Sequence, residues 1–192
     1  CDGPEEKKMK YFNKGKALYE KGDYFKAALE FENAVQIDPK FPDGYYMLGK
    51  VSLAQRDFPK AFGHFNKAAE LNPKHWKAQV ELGKLYLLAR APENAMETAE
   101  IILKGDPQNV EAMLIKGAVY VGKRENDQAE QYLNGLIQKG INHFDIYRLL
   151  AAVCMAKQDR PGVENTLLRG IQANPKSPEL YVSLSELYAM GK

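Results

Sequence analysis

Two cysteines in 192 residues leave no disulfide framework to read: Cys1 opens a polar tail and Cys154 lies inside a helical pattern. The three histidines, His64, His75 and His143, are too scattered for a metal-binding motif, so no metal and no cofactor is expected. Charge of neither sign prevails. The net charge is +2 with 27% charged residues in no like-signed block, which argues against a nucleic-acid partner. No apolar run approaches the roughly 18 residues that cross a bilayer. Nothing alternates with period two over a useful length, which excludes strands. No nucleophile stands with a base in a recognisable constellation, so the chain reads as a non-enzyme.

What is present is a period of 34 residues. Gly15, Gly49, Gly83 and Gly117 fall in register, as do Ala27, Ala61, Ala95 and Ala129. Pro39, Pro73 and Pro107 share the register, and Pro175 returns to it two periods later. A fixed period of this size marks a solenoid, in which each repeat buries its apolar face on its neighbours. The repeats run 8–41, 42–75, 76–109, 110–143 and 144–177, with a partial sixth at 178–192 behind a polar tail at 1–7.

Each repeat reads as two helices. The first carries apolar or small residues at repeat positions 4, 7, 8 and 11, which share one face at about 100° per residue. Glycine at position 8 costs helix stability, roughly 1 kcal/mol against alanine. Its recurrence predicts a close helix crossing, with Gly49 against Ala61. Asp23, Asp57 and Asp159 stand where an N-cap would open the second helix, and Pro59, Pro92 and Pro161 stand in its first turn. Asp38-Pro39, Asn72-Pro73, Asp106-Pro107 and Asn174-Pro175 then end it.

These residues resemble the tetratricopeptide-repeat (TPR) pattern: aromatic at 4, Leu-Gly at 7–8, Tyr at 11, Ala at 20, aromatic at 24, Ala at 27, Pro at 32. Tyr45, Leu48, Gly49, Ala61, Phe65, Ala68 and Pro73 match it in the second repeat, and Tyr11, Gly15, Ala27, Phe31, Ala34 and Pro39 in the first. Repeat four has Ile141 for the proline, and repeat five is weakest, with Ala151, Val163 and Gly170 at the small positions. The resemblance implies an all-α TPR α-solenoid, a right-handed superhelix of antiparallel helix pairs with five and a half repeats. It also implies a protein-interaction scaffold that holds its partner in a concave groove.

Two stretches imitate a phosphate-binding loop, Gly44 to Lys50 and Gly117 to Lys123. Neither is followed by Ser or Thr, and both lie in helical patterns whose N–H groups are already used. Cys154 reads as a small core residue and Trp76 as a contact between repeats. The groove stripe lies on positions 2, 5, 9, 12 and 13 of each first helix, away from the core face, and positions 5, 9 and 12 supply its candidate contacts. It comprises Phe12, Lys16 and Tyr19, then Tyr46, Lys50 and Leu53, then Val80, Lys84 and Leu87, continuing to Leu114 and Arg148. Lys50 has no acid three or four positions away on its own helix. Such a stripe suits an extended protein segment carrying acidic and apolar residues. The runner-up partner is a polysaccharide, stacked on Phe12, Tyr19 and Tyr46; a third reading is a repeat domain attached to a catalytic domain.

Two functions of the family find no support here. Its clamp for acidic chaperone tails uses asparagine at position 9 of the first repeat, where Lys16 stands. The asparagine ladder of its glycosyltransferases would use position 6, which reads Asn13, Met47, Glu81, Ile115, Leu149 and Ser183. The Cys1-Asp2 start, Lys21-Gly22-Asp23-Tyr24 and Ile37-Asp38-Pro39-Lys40 are similar to the N-terminal part of bacterial repeat lipoproteins of exopolysaccharide and protein-sorting (PEP-CTERM-type) export systems. That likeness implies a lipid anchor on Cys1 and a periplasmic, inner-membrane-anchored protein; a renumbered or cut cytoplasmic chain is the alternative.

Overall fold

The computed structural model describes residues 3–190. Among the described residues there are eleven α-helices and no strand. The chain divides into two compact units, Cys1–Ala89 and Arg90–Lys192. The first holds α1 (Pro4–Glu20), α2 (Tyr24–Ile37), α3 (Pro42–Ala54), α4 (Phe58–Leu71) and α5 (Trp76–Leu88). The second holds α6 (Pro92–Gly105), α7 (Val110–Gly122), α8 (Asn126–Gln138), α9 (Phe144–Ala156), α10 (Arg160–Ala173) and α11 (Pro178–Ala189). In each unit every helix packs on the next, and first helices of successive repeats also touch: α1 on α3, α7 on α9 and α9 on α11. This is the packing of an α-solenoid.

The turn inside each repeat explains the fixed period. After α1 the Gly22 N–H bonds the Tyr19 carbonyl and the Asp23 N–H bonds that of Leu18, which closes the helix through a left-handed residue. The same turn follows α3, α7 and α9. The left-handed positions are Gly22 at φ 78°, Arg56 at 61°, Arg90 at 55°, Arg124 at 59° and Gln158 at 59°, each 34 residues after the last. Only the first is glycine, so the others carry strain on the order of 1 kcal/mol. Asp23, Asp57 and Asp159 do two jobs. Their N–H groups finish one helix, and their side chains accept from Lys26, Lys60 and Gly162 N–H at 3.2, 3.1 and 2.9 Å to open the next.

The repeated glycines meet a different neighbour from the one expected. A Cβ at Gly49 would lie 2.5 Å from the ring of Phe65, and its three nearest neighbours would all be atoms of that ring rather than of Ala61. Gly15 faces Phe31 in the same way, at 2.6 Å, and Gly117 faces Leu133 at 2.7 Å. The aromatic at position 24 is so large that only position 8 without a side chain lets it reach the seam. Phe31 and Phe65 are fully buried there, each contributing roughly 2–3 kcal/mol of burial.

Helix α1 starts at Pro4, inside the stretch expected to be a tail. Pro4 at the first helical position and Glu5 and Glu6 in the first turn suit a helix start. Lys8 then fastens it: its buried ammonium lies 2.9 Å from Asp38, 2.7 Å from Glu5 and 4.7 Å from the centre of the Phe41 ring. Both phosphate-loop imitations are helical: Gly44 to Lys50 lies within α3, and Gly117 to Lys123 runs through the end of α7. No described helix is long and apolar enough to cross a membrane.

Candidate functional site

Nine of the eleven stripe residues fall in the first unit, on α1, α3 and α5. The rings are anchored rather than free. Phe12 lies 5.7 Å from Phe31 and 4.9 Å from Phe41, and Tyr46 lies 5.8 Å from Phe65 and 5.1 Å from His75, centre to centre. Phe12 and Tyr19 pack on the cluster of Ala27, Phe31, Leu48 and Val51; Tyr46 and Leu53 pack on that of Ala61, Phe65, Ala68 and Leu82. All four are half-buried, as is Leu87. A ring held on one side by core and open on the other loses little entropy on meeting a ligand.

Val80 and Leu114 depart from this picture. At 6% and 9% exposure both are buried, and Leu114 joins the core cluster of Met113, Leu133, Leu136, Ile146 and Leu150. They offer a partner almost no surface, because a branched aliphatic at position 5 drops into the helix seam where a long ring stays half out. Arg148, in the second unit, is exposed and forms a 2.9 Å ion pair with Asp145 on its own helix.

The lysines carry the main surprise. Lys16 is exposed, with its ammonium 5.8 Å from the centre of its own helix neighbour Phe12. Lys50 does have an acidic neighbour, one helix away: Glu81 Oε1 on α5 lies 4.0 Å from its ammonium. The same oxygen lies 3.9 Å from Lys84. Burial raises the hydroxyl pKa of Tyr46 and of Tyr19, and the negative charge of Glu81 adds to both shifts. A cluster of Tyr19, Tyr46, Lys50, Glu81 and Lys84 therefore occupies the middle of this face. Sequence reasoning missed Glu81 as a partner. Its i,i+3 spacing to Lys84 was visible, but its approach to Lys50 exists only once α3 and α5 are stacked.

The remaining polar residues have structural work. His75 caps α5 by accepting from the Ala78 N–H at 3.1 Å, and its Nε2 then donates to Asp43 at 3.0 Å. His143 caps α9 in the same way, accepting from Asp145 N–H. Cys154 is half-buried rather than fully buried, its sulfur 3.9 Å from the Thr166 hydroxyl. No group of three or more His, Cys, Asp or Glu that would hold a metal exists among the described residues. Cys1 lies outside them.

Residues 15–56 match the family described as TPR repeat and residues 46–110 match the tetratricopeptide repeat, together spanning half the chain. The chain belongs to the tetratricopeptide-repeat family. Proteins of this family are scaffolds for protein interaction. No curated protein matches this TPR chain in sequence. Among solved structures it is similar to a thermophilic TPR protein of Thermus thermophilus, at 20% identity and a TM-score of 0.73 over 95% of this chain and 99% of that one. It is also similar to YrrB, described as a TPR protein with an unusual peptide-binding site, at 17% identity and a TM-score of 0.67 over 90% and 89%. A third is the first TPR of Spaghetti bound to the HSP90 peptide SRMEEVD, at 23% identity and a TM-score of 0.56 over 59% of this chain and 90% of that one.

Proposed function

We propose that this TPR protein is a binding scaffold whose α1–α3–α5 face in the first unit holds an extended segment of a partner protein. The observation that carries the reading is the face itself: anchored, half-exposed Phe12, Tyr19, Tyr46, Leu53 and Leu87 alternate along it with Lys16, Lys50 and Lys84. Two structurally similar proteins, YrrB and Spaghetti, are described as binding peptides, which supports a peptide over a sugar as the occupant. Apolar contact supplies most of the affinity in such a groove, and the lysines supply orientation and association rate.

A bacterial envelope setting belongs to the proposal but rests on less. The phrase Lys21-Gly22-Asp23-Tyr24 is the closing and opening turn between α1 and α2, and Ile37-Asp38-Pro39-Lys40 is the end of α2 with its Asp38 cap. Both are turn chemistry, so Cys1-Asp2 is left as the support for a lipid anchor. Mass spectrometry of the native protein tests it: an unmodified Cys1, or chain preceding it, sinks the idea.

The groove is tested by changing Lys16, Lys50 and Lys84 to glutamine together and measuring binding to partners captured from native membranes. Glutamine is chosen because glutamate at 50 or 84 would add repulsion against Glu81. The helical spectrum should be unchanged, since Lys16 and Lys84 are exposed and Lys50 is only half-buried, and surface changes of this kind cost within about 0.5 kcal/mol each. Binding should weaken strongly at low salt and little at high salt, where the screening length falls to roughly 3 Å. A partner that tolerates all three changes binds another face.

A further inference from the structure

Repeat four departs from its neighbours where its two helices cross. Positions 11 and 23 hold Ser52 and His64 in repeat two and Cys154 and Thr166 in repeat five, pairs joined by single polar contacts of 3.3 and 3.9 Å. In repeat four they hold Tyr120 and Tyr132, whose rings meet edge to face at 5.7 Å. Two full rings need more room than those pairs, and α7 and α8 approach each other less closely than α3 and α4 or α9 and α10 do. A cleft of about 380 Å³ opens beside the rings, lined also by Gln128, Gln131, Gly135 and Leu136. That volume lies in the roughly 300–1,000 Å³ range of ligand clefts.

The packing does not ask for Gly135. It stands inside α8 where other repeats carry Asn33, Lys67, Ile101 and Arg169, and a Cβ there would have nothing within 4 Å. Glycine weakens a helix interior, and here, unlike at Gly49 or Gly117, no close neighbour accounts for it. What it does is leave that stretch of the cleft open. Tyr132 is held from beneath by the core cluster of Leu133 and Leu136, which fixes its ring in place. Neither tyrosine hydroxyl has a hydrogen-bond partner among the described residues, and the side chains of Gln128, Gln131 and Lys139 have none either. Burial pushes the Tyr132 hydroxyl pKa up to about 12, and Tyr120 adds to the shift, so the group stays neutral.

We propose that this cleft between α7 and α8 is a carbohydrate site that takes a neutral sugar ring. It lies wholly in the second unit and does not rest on the groove reading. The lining decides the class of ligand. No carboxylate lines it, so nothing there draws a cation. Its one charged residue, Lys139, is exposed at the end of α8, where the helix carbonyls oppose an anion. A purely apolar group would cover the hydroxyls and amides without giving them partners, which is costly. A sugar ring meets all three conditions. Its hydrocarbon face suits the tyrosine rings and Leu136. Its hydroxyls both donate and accept, as the two tyrosine hydroxyls and the two glutamine amides do.

The test titrates the intact, isotope-labelled chain with neutral oligosaccharides of glucose, mannose, galactose and N-acetylglucosamine. A glucuronate oligosaccharide and a blocked aromatic dipeptide serve as rival probes. Binding is read from the nuclear magnetic resonance shifts of the Gly135 backbone amide and the Gln128 and Gln131 side-chain amides. At least one neutral sugar should move all three saturably with a single Kd. Tyr120→Phe and Tyr132→Phe, which keep the ring pair, should each weaken it about two- to tenfold, the effect of one lost hydrogen bond. Gly135→Ile fills the cleft with the side chain that repeat three carries at this position, 47% exposed. It should abolish binding, read from the glutamine amides, without lowering the melting temperature, because nothing stands in the way of its Cβ. That variant separates a blocked site from a misfolded chain. No saturable shift with any neutral sugar overturns the proposal, and so does binding that survives Gly135→Ile. Tighter binding of the glucuronate sugar or the aromatic dipeptide at the same resonances overturns the ligand class proposed.

Discussion

At Gly49 one absent methyl group sets how closely α3 and α4 pack. A Cβ there would stand 2.5 Å from the fully buried Phe65 ring, which has no room to retreat. Gly49→Ala should therefore cost about 1–3 kcal/mol from overpacking even though alanine favours the helix by roughly 1 kcal/mol. Gly63, on the exposed side of α4, has nothing within 4 Å of its would-be Cβ, so Gly63→Ala should gain about 0.5–1 kcal/mol. Urea unfolding of the two variants decides it, and equal effects would contradict the crossing geometry. The glycine's importance was legible from its recurrence alone. Its neighbour was not, because a register counts residues along a helix and says nothing about which of two small or large partners fills the gap. Ala61 and Phe65 lie one turn apart on the same helix face, and the larger one reaches further.

At the scale of helices, capping was the most legible layer and cross-helix polarity the least. Asp-Pro and Asn-Pro ends, the Asp caps and the first-turn prolines are local chemistry, readable in a window of four or five residues. The Ser52–His64 link is not. The Ser52 hydroxyl donates to the Leu48 carbonyl at 3.0 Å, so its oxygen is left to accept from His64 Nδ1 at 3.3 Å, which ties α4 to α3. Burial holds the His64 pKa below its usual 6.5, outweighing the opposite pull of Glu32. The unfolded chain then binds a proton more readily than the folded one as pH falls, so stability rises with pH through this window. The contribution is complete above about pH 6.5, the unfolded value, and is lost as pH drops below it towards the folded value. Melting temperatures between pH 7.5 and 5.5 should fall more steeply for the native protein than for His64→Gln. Parallel slopes would mean the imidazole is not neutral and packed as drawn.

Across the whole molecule, stability should follow how many neighbours a helix has rather than how well it matches the repeat pattern. Helix α9 packs on α7, α8, α10 and α11 and buries Ile146, Tyr147, Leu150, Ala151 and Val153, although its repeat matches the family pattern least well. Helix α11 buries only Leu180 and Leu187 and leaves Tyr181, Val182 and Tyr188 at 48–55% exposure, with Met190 just past its end at 70%. Helix α1 is also poor in buried residues, but its outer face is polar. Lys14 stands where other repeats carry Leu48, Leu82 and Leu150, and pairs with Glu30 at 2.5 Å, while Lys8 anchors the helix start. Helix α11 presents no such polar face. Hydrogen exchange on the 192-residue chain should accordingly find the α11 amides opening first in the second unit and the α9 and α10 amides last, at the cost of global unfolding. In the first unit α1 should outlast α11 despite its few buried residues, and Lys8→Ala should erase that difference by freeing its first turns. If α11 proves as protected as α9, its exposed aromatic face is covered in solution, and a second chain against it becomes the explanation to pursue.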